Sequence, residues 1–369
     1  MRYSNKYLIL VFTFFILVCV LFLIQKGTLI ILWNKLGVNK QAVSVCLKDQ
    51  SVIKGNICSF LGEEMKRKEK ISKKQKHLLF YSDNKLVKEK IEKEDWIHFL
   101  YENRFGKLLC SILSRRWFSK LIGLLKTSSL SKRGIKKFIK KYDINMTEVE
   151  KGVASFKNFN EFFIRKLKAG SRIIDTDPNV VVSPCDGKAF IITNIQKEDE
   201  FFVKDKKFYL EKFLQNPDLA SLYEGGTLML FRLAPYDYHR FHFPFNCVPY
   251  EPKILNGRYY SVHPFVYQAG FQPLLENERH LIRLKTKEFS DVAMVLIGAM
   301  CVGKIVETYK ADSECNKGDE VGYFAFGGSS MVLLFKPETV IVDEKLLQHS
   351  LEGFETEVKF GQSVGFVKS

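Results

Sequence analysis

The sequence has no CxxC pair. Its eight cysteines (Cys19, Cys46, Cys58, Cys110, Cys185, Cys247, Cys301, Cys315) are scattered, which argues against a structural zinc site and against a dense disulfide framework. Cys46 and Cys58 could pair in an oxidising compartment, but nothing in the sequence requires it. Zinc-finger spacing is missing, and so is a basic region followed by heptads. The surplus of 57 Lys and Arg over 41 Asp and Glu, a net charge of +16, therefore comes without a nucleic-acid signature. An anionic membrane is the partner that this charge still suits. The chain also lacks the G-x-S-x-G elbow of serine hydrolases. No Arg- and Ser-rich presequence precedes its first apolar run, and no small-x-small cleavage site follows that run cleanly.

What is present divides into four stretches. The 369 residues, 46% of them hydrophobic, suffice for a sizeable core and about two domains. Residues 7–24 (YLILVFTFFILVCVLFLI) form an uninterrupted apolar run of membrane-spanning length, with Arg2 and Lys6 before it and Lys26 after it. The expectation is an uncleaved anchor over 1–36, pointing to the endoplasmic reticulum, with the mitochondrial inner membrane as the alternative. Residues 37–95 are expected to be a Lys-rich linker, solvated or gripping anionic headgroups. Residues 96–168 are expected to be helical and membrane-facing. Leu108, Leu109, Ile112 and Leu113 recur at helical spacing, as do Phe118, Leu121, Ile122 and Leu125. A basic amphipathic helix capped by Ser131 is predicted over 131–142. Its Ile135, Phe138, Ile139 and Tyr142 face either a membrane surface or the core. A last short helix is expected over 160–167. Residues 169–369 are expected to be a β-rich catalytic domain, with strands near 179–183, 188–193, 227–233, 292–297, 303–308 and 331–335. The fold class is α+β.

Three stretches carry candidate chemistry. Residues 320–335 (EVGYFAFGGSSMVLLF) read as two apolar strands around Gly327-Gly328-Ser329-Ser330. The break is either a hairpin turn or a strained turn presenting a nucleophilic serine. Residues 182–187 (VSPCDG) place Asp186 in an Asp-Gly turn. Residues 231–244 (FRLAPYDYHRFHFP) place His239 and His242 three apart among aromatics. That pair is thin as a metal site, because spacing indicates no third ligand, and plausible as a source of a general base. Asp186, His242 and Ser329 together supply the parts of a nucleophile–base–orienter relay.

The blocks FNEFFIRKLKAGSRIID (159–175), SPCDGK (183–188), LAPYDYHRFHFP (233–244), YYSVHP (259–264), NER (277–279), VLIGAMCVGKIVET (295–308) and KGDEVGYFAFGGSSMVLLF (317–335) resemble the phosphatidylserine decarboxylase proenzymes, in that family's order. The resemblance implies a self-processing, pyruvoyl-dependent enzyme. Ser329 attacks the Gly328 carbonyl after His242, oriented by Asp186, takes its proton. Cleavage between 328 and 329 leaves a pyruvoyl group at the former Ser329. That group forms a Schiff base with phosphatidylserine, and His239 protonates the carbanion left by CO₂, giving phosphatidylethanolamine. Neither metal nor pyridoxal phosphate is needed. The fragments 1–328 and 329–369 stay associated, and a homodimer is implied. GGSS departs from the family's commoner LGST or GGST and adds Ser330 as a second hydroxyl. The rival reading is a membrane-anchored serine hydrolase with the same triad.

Overall fold

The computed structural model describes residues 79–89, 94–196, 198–200, 207–300, 304–325, 327 and 329–368. The expected anchor, the Cys46–Cys58 pairing, most of the Lys-rich segment and Gly328 lie outside these. Among the described residues no helix is long and apolar enough to cross a membrane. All of them belong to one unit, Glu69–Ser369.

The first described segment corrects the expectation of a linker. β1 (Leu79–Ser82) and β2 (Lys85–Lys88) form a hairpin. Its turn residues Asp83 and Asn84 both take positive φ, as residue types that tolerate the left-handed region allow. Phe80 and Tyr81 are buried, and β1 adds in parallel to the edge of the main sheet. The lysines masked this short apolar strand.

Helices follow as the spacing predicts: α1 (Glu94–Glu102), α2 (Arg104–Leu113) and α3 (Arg116–Thr127). The basic helix is shorter than expected. Residues 129–134 are a 3₁₀ turn, and α4 covers Ile135–Tyr142. Ser131 does not cap it; its hydroxyl donates to the Lys126 and Ser128 carbonyls and accepts from the Phe159 N–H. Ile135 and Phe138 are buried with Phe156, Phe159, Phe162 and Phe163 in one cluster, so the apolar face of α4 belongs to the core. α5 (Phe159–Phe163) is the last helix before the sheets.

The remainder is β-rich, as expected. Its strands are β3 (Val180–Val182), β4 (Gly187–Thr193), β5 (Glu198–Glu200), β6 (Lys207–Tyr209), β7 (Thr227–Leu233), β8 (Arg240–His242), β9 (Val248–Pro249) and β10 (Lys253–Leu255). They continue with β11 (Arg279–Lys285), β12 (Asp291–Gly298), β13 (Ile305–Glu307), β14 (Glu320–Phe324), β15 (Ser329–Phe335), β16 (Val340–Val342), β17 (Glu355–Val358) and β18 (Ser363–Val367). The main sheet runs β10-β11-β12-β15-β7-β4-β17-β1-β2, with β9 also on β11; β13-β14-β8, β16-β18-β3 and β5-β6 form smaller sheets.

β15 lies at the centre, antiparallel to β12 and β7, and all seven of its residues are buried. Burial on both faces explains its continuous apolar text. Met331, Leu333 and Phe335 enter one core cluster, while Val332 and Leu334 enter another across the sheet. The hairpin reading of 320–335 does not hold. β14 pairs with β13 and β8, whereas β15 pairs with β12 and β7. Each strand has both edges taken, so the glycine break carries the chain from one sheet to another. Gly327 turns at φ 140, a conformation barred to most side chains.

Candidate active site

Ser329 opens β15. Its ladder partners are Leu233 of β7 and Gly298 of β12. Period two puts its side chain on the face of Met331 and Leu333, and puts Ser330 on the opposite face, across from Arg232. The two serines thus stand in different surroundings. The Ser329 hydroxyl is fully buried and has no hydrogen-bond partner among the described residues. An unpaired buried hydroxyl costs about 1–3 kcal/mol, a cost that suits a group reserved for reaction.

His239 is fixed from two sides. Its carbonyl accepts the Phe324 N–H (3.0 Å), at the end of β14 from which the chain proceeds to Ser329. Its Nε2–H donates to the Ala234 carbonyl (3.0 Å), next to the ladder partner of Ser329. That bond leaves Nδ1 as a bare lone pair, buried and without a partner among the described residues. The ring stacks on Phe163 at 4.0 Å. Burial, reinforced by the nearby Arg165 charge, pushes its pKa down to about 3.

His242 lies further along. It is the ladder partner of Glu320 at the far end of β14, three residues and so roughly 10 Å beyond His239 along the chain. Its Nδ1–H donates to the Gly318 carbonyl (2.9 Å), and Nε2 accepts from the Tyr238 hydroxyl (3.1 Å). The ring stacks on Phe360 at 3.8 Å. Burial pushes it down to about 4. Both histidines are therefore neutral, with an Nδ1 lone pair on His239 and an Nε2 lone pair on His242.

Asp186 is in the same corner but is not hydrogen-bonded to His242. Its carboxylate accepts from Arg172 Nε (3.2 Å) and Nη2 (2.6 Å) and from the Phe360 N–H (2.8 Å). Phe360 thus links the two: its N–H holds Asp186 and its ring covers His242. Burial raises the Asp186 pKa, but the Arg172 hydrogen bonds and charge outweigh it and hold it below the usual value. No group of three His, Cys, Asp or Glu side chains among the described residues is placed to hold a metal.

Residues 159–366 match the family model described as phosphatidylserine decarboxylase. A Fusobacterium nucleatum protein named phosphatidylserine decarboxylase proenzyme is 43% identical over 282 residues, covering 76% of this chain and 94% of that protein. Proteins of the same name from Chlamydia pneumoniae and Chlamydia caviae are 42% and 40% identical, covering 94% and 95% of their lengths. The chain belongs to the phosphatidylserine decarboxylase family.

In this member of the family, several charged residues that no spacing rule singled out surround the serines. Lys188 donates to Asp237 (2.9 Å), and Asp237 in turn accepts the Ala234 N–H (2.7 Å), which shapes the turn that holds His239. Arg232, opposite Ser330, donates to both Glu355 and Glu89. All of these are buried. On the other flank, Gly298 leaves room beside Ser329 that the Tyr259 ring occupies; a Cβ there would meet it at 3.1 Å. Burial, with the Glu278 carboxylate near its hydroxyl, pushes the Tyr259 pKa up. His280 Nε2 lies 3.8 Å from the same carboxylate, and its Nδ1 bonds Glu307. Burial opposes charge on His280, but the two carboxylates raise it to about 9. The family motifs NER and VLIGAMCVGKIVET were the available signal for this flank. Nothing in the sequence pointed to Glu89, which lies in the Lys-rich stretch.

Proposed function

We propose that this chain is a self-processing phosphatidylserine decarboxylase, a carboxy-lyase that yields phosphatidylethanolamine and CO₂. The observation that carries the reading to specific atoms is the buried Ser329 hydroxyl at the start of β15, without a partner among the described residues, directly after Gly327-Gly328, in a chain of this family. Ser329 Oγ gives up its proton and bonds the Gly328 carbonyl carbon, and the Gly328–Ser329 C–N bond breaks to leave an ester. Loss of the Ser329 α-proton then expels the Gly328 carboxylate, freeing fragment 1–328. The resulting dehydroalanine hydrolyses, releasing ammonia and leaving a pyruvoyl group on 329–369. That group, once formed, supplies an electron sink for loss of CO₂. The buried surroundings of Ser329, with no competing hydrogen bond among the described residues, fit such a group.

In this reading His242 is the base for processing, with Asp186 and Phe360 fixing its place, and His239 hands a proton to the substrate carbon. A second reading gives His239 the Ser329 proton. It is favoured by the bare Nδ1 of His239 and by a strand register that brings His239 nearer to Ser329. Separate His239→Ala and His242→Ala variants decide between them. The one that stays a single chain has lost the processing base.

We also propose that the helical region meets an anionic phospholipid surface through α2 and α3. Phe105 (78% exposed), Leu108, Trp117, Leu124 (70%) and Leu125 present apolar surface there, in a chain of net charge +16. The lysines of α4, whose apolar face is buried, supply charge only. Replacing Trp117, Leu124 and Leu125 by Ser should abolish most liposome binding. Replacing Lys136, Lys137, Lys140 and Lys141 by Gln should weaken it and make it less salt-sensitive. The bacterial relatives give no support to the endoplasmic reticulum or the mitochondrial inner membrane, so the location proposed is a membrane surface. The homodimer is kept as a proposal that light scattering tests.

One denaturing gel tests the core of the proposal. Wild type should run as two fragments divided before Ser329, the small one blocked to Edman degradation, and Ser329→Ala as one chain without decarboxylase activity. A serine hydrolase would stay intact. An intact wild type that still released CO₂ from phosphatidylserine would end the pyruvoyl reading.

A further inference from the structure

Helix α3 is tied at both ends to segments that flank Ser329. At its start, Arg116 Nε lies 3.7 Å from a Glu278 carboxylate oxygen. The Glu278 carbonyl accepts the N–H of Gly298, the ladder partner of Ser329. At its end, Lys126 Nζ lies 4.7 Å over the ring of Phe159, in the helix whose Phe163 stacks on His239. Roughly 18 Å of helix thus joins the two sides of the site, and the adjoining Ser114 carbonyl accepts the Tyr259 N–H (2.9 Å).

The first turn of α3 has the features of an anion site. Among the described residues no side chain caps it, and no acid stands in the turn to offset its dipole. Arg115 is the residue before the helix and Arg116 the first in it. Ser119, one turn further on, shares the face of Arg116. It is 1% exposed, and its hydroxyl has no partner among the described residues. Its Cα–Cβ bond leans toward the helix start, as every such bond in an α-helix does. Glu278 does not depend on Arg116 alone, because the His280 imidazolium lies 3.8 Å from its carboxylate. The Arg116 side chain is 57% exposed and can turn to a ligand.

The reaction proposed above says which anion belongs there. A substrate carboxylate must surrender its charge as CO₂ departs, and a fixed cation on it would oppose that loss. A phosphodiester keeps its charge throughout. We propose that the first turn of α3, with the Arg116 guanidinium and the Ser119 hydroxyl, holds the phosphodiester of the lipid head group while the serine moiety reaches position 329. This rests on the decarboxylase reading.

The test compares two soluble amines, glycerophosphoserine and a serine alkyl ether without phosphate, on processed enzyme. Wild type should prefer the phosphodiester in kcat/KM. Arg116→Gln and Ser119→Ala should each cut that preference about tenfold, mainly through KM, and leave turnover of the ether alone. Inorganic phosphate should inhibit wild type more than either variant if the turn accepts any phosphate; inhibition by glycerophosphoserine alone would assign it to the diester. Variants that keep the wild-type preference, or lose both substrates equally, overturn the subsite. Should Arg116→Gln fail to process, Ser119→Ala, which removes one oxygen, decides. A wild type that decarboxylates neither amine nor phosphatidylserine defeats the decarboxylase reading instead.

Discussion

Replacing Arg172 by Leu isolates the contact that keeps Asp186 ionised. Arg172 gives Asp186 two hydrogen bonds and gives Glu148 a third (2.8 Å). Without it, a buried carboxylate keeps only the Phe360 N–H. Removing one partner of a buried pair costs about 3–5 kcal/mol, while the half-exposed Glu148 contact adds about 1 kcal/mol at most. At roughly 2–4 °C per kcal/mol, the melting temperature at pH 7 should fall by ~6–24 °C. The assay belongs in the Ser329→Ala background, where a single uncut chain keeps unfolding closest to two-state. The sign of the pH dependence follows from the depressed Asp186 pKa. Its stabilisation is present above the unfolded value, about 3.9, and is lost as pH falls through the folded value. In the Leu variant the carboxyl escapes its isolation by taking a proton, so the penalty should shrink between about pH 7 and about pH 5. In the processing-competent chain, an Asp186 no longer fixed by Arg172 should place Phe360, whose ring covers His242, less firmly, and cleavage should slow. A variant melting within ~2 °C of its parent at pH 7, or a penalty unchanged by acid, refutes this account of Asp186.

Three further outcomes follow from the same geometry. Because burial lowers His239 to about 3 and His242 to about 4, the processing rate should stay flat from about pH 8 to about pH 5.5. Their linked stability should be complete above about pH 6.5 and decline below it; an acid limb in the rate centred near 6.5 contradicts the burial argument. Tyr238→Phe removes the donor to His242 Nε2 (3.1 Å) and should slow processing several-fold, about 1 kcal/mol, read as the half-time of the uncut band. His280, raised to about 9, contributes stability that is full below about pH 6.5 and lost as pH rises through 9. His280→Gln should therefore lower the melting temperature at neutral pH and converge with its parent near pH 10.

The strands of the catalytic half were legible because burial and alternation coincide there. The stretches 188–193, 227–233 and 331–335 all fall within observed strands. The hairpin at 327–330 was misread because turn dipeptides say where a chain turns, not which edges its strands then fill. β1 and β2 were missed because four-residue strands amid lysines carry no periodicity. Ser131 looked like a cap, but its hydroxyl serves Phe159, a contact fixed by tertiary packing. Motifs put forward Asp186, His239, His242 and Ser329 as candidates, yet not the residues that hold them. Arg172, Tyr238, Gly318 and Phe360 lie up to 174 positions from the residues they hold, and single-sequence patterns do not span such distances.

The position of β15 has a consequence for how the protein matures. From Ser329 onward, β15, β17 and β18 each pair with earlier strands, and β16 pairs with β18. β15 separates β12 from β7, and β17 separates β4 from β1. Under the proposed cleavage before Ser329, these strands would belong to another molecule, still held by five fully buried side chains from Met331 to Phe335, each worth about 1.5–3 kcal/mol. Folding can therefore be unimolecular only once, before cleavage. A processed enzyme that unfolds must find its short partner again by diffusion, with central strands exposed meanwhile. Its lifetime is then set by the barrier to opening rather than by an equilibrium. The proposed maturation would thus be a ratchet: the uncut precursor would be the form that folds, and the cut product the form that works.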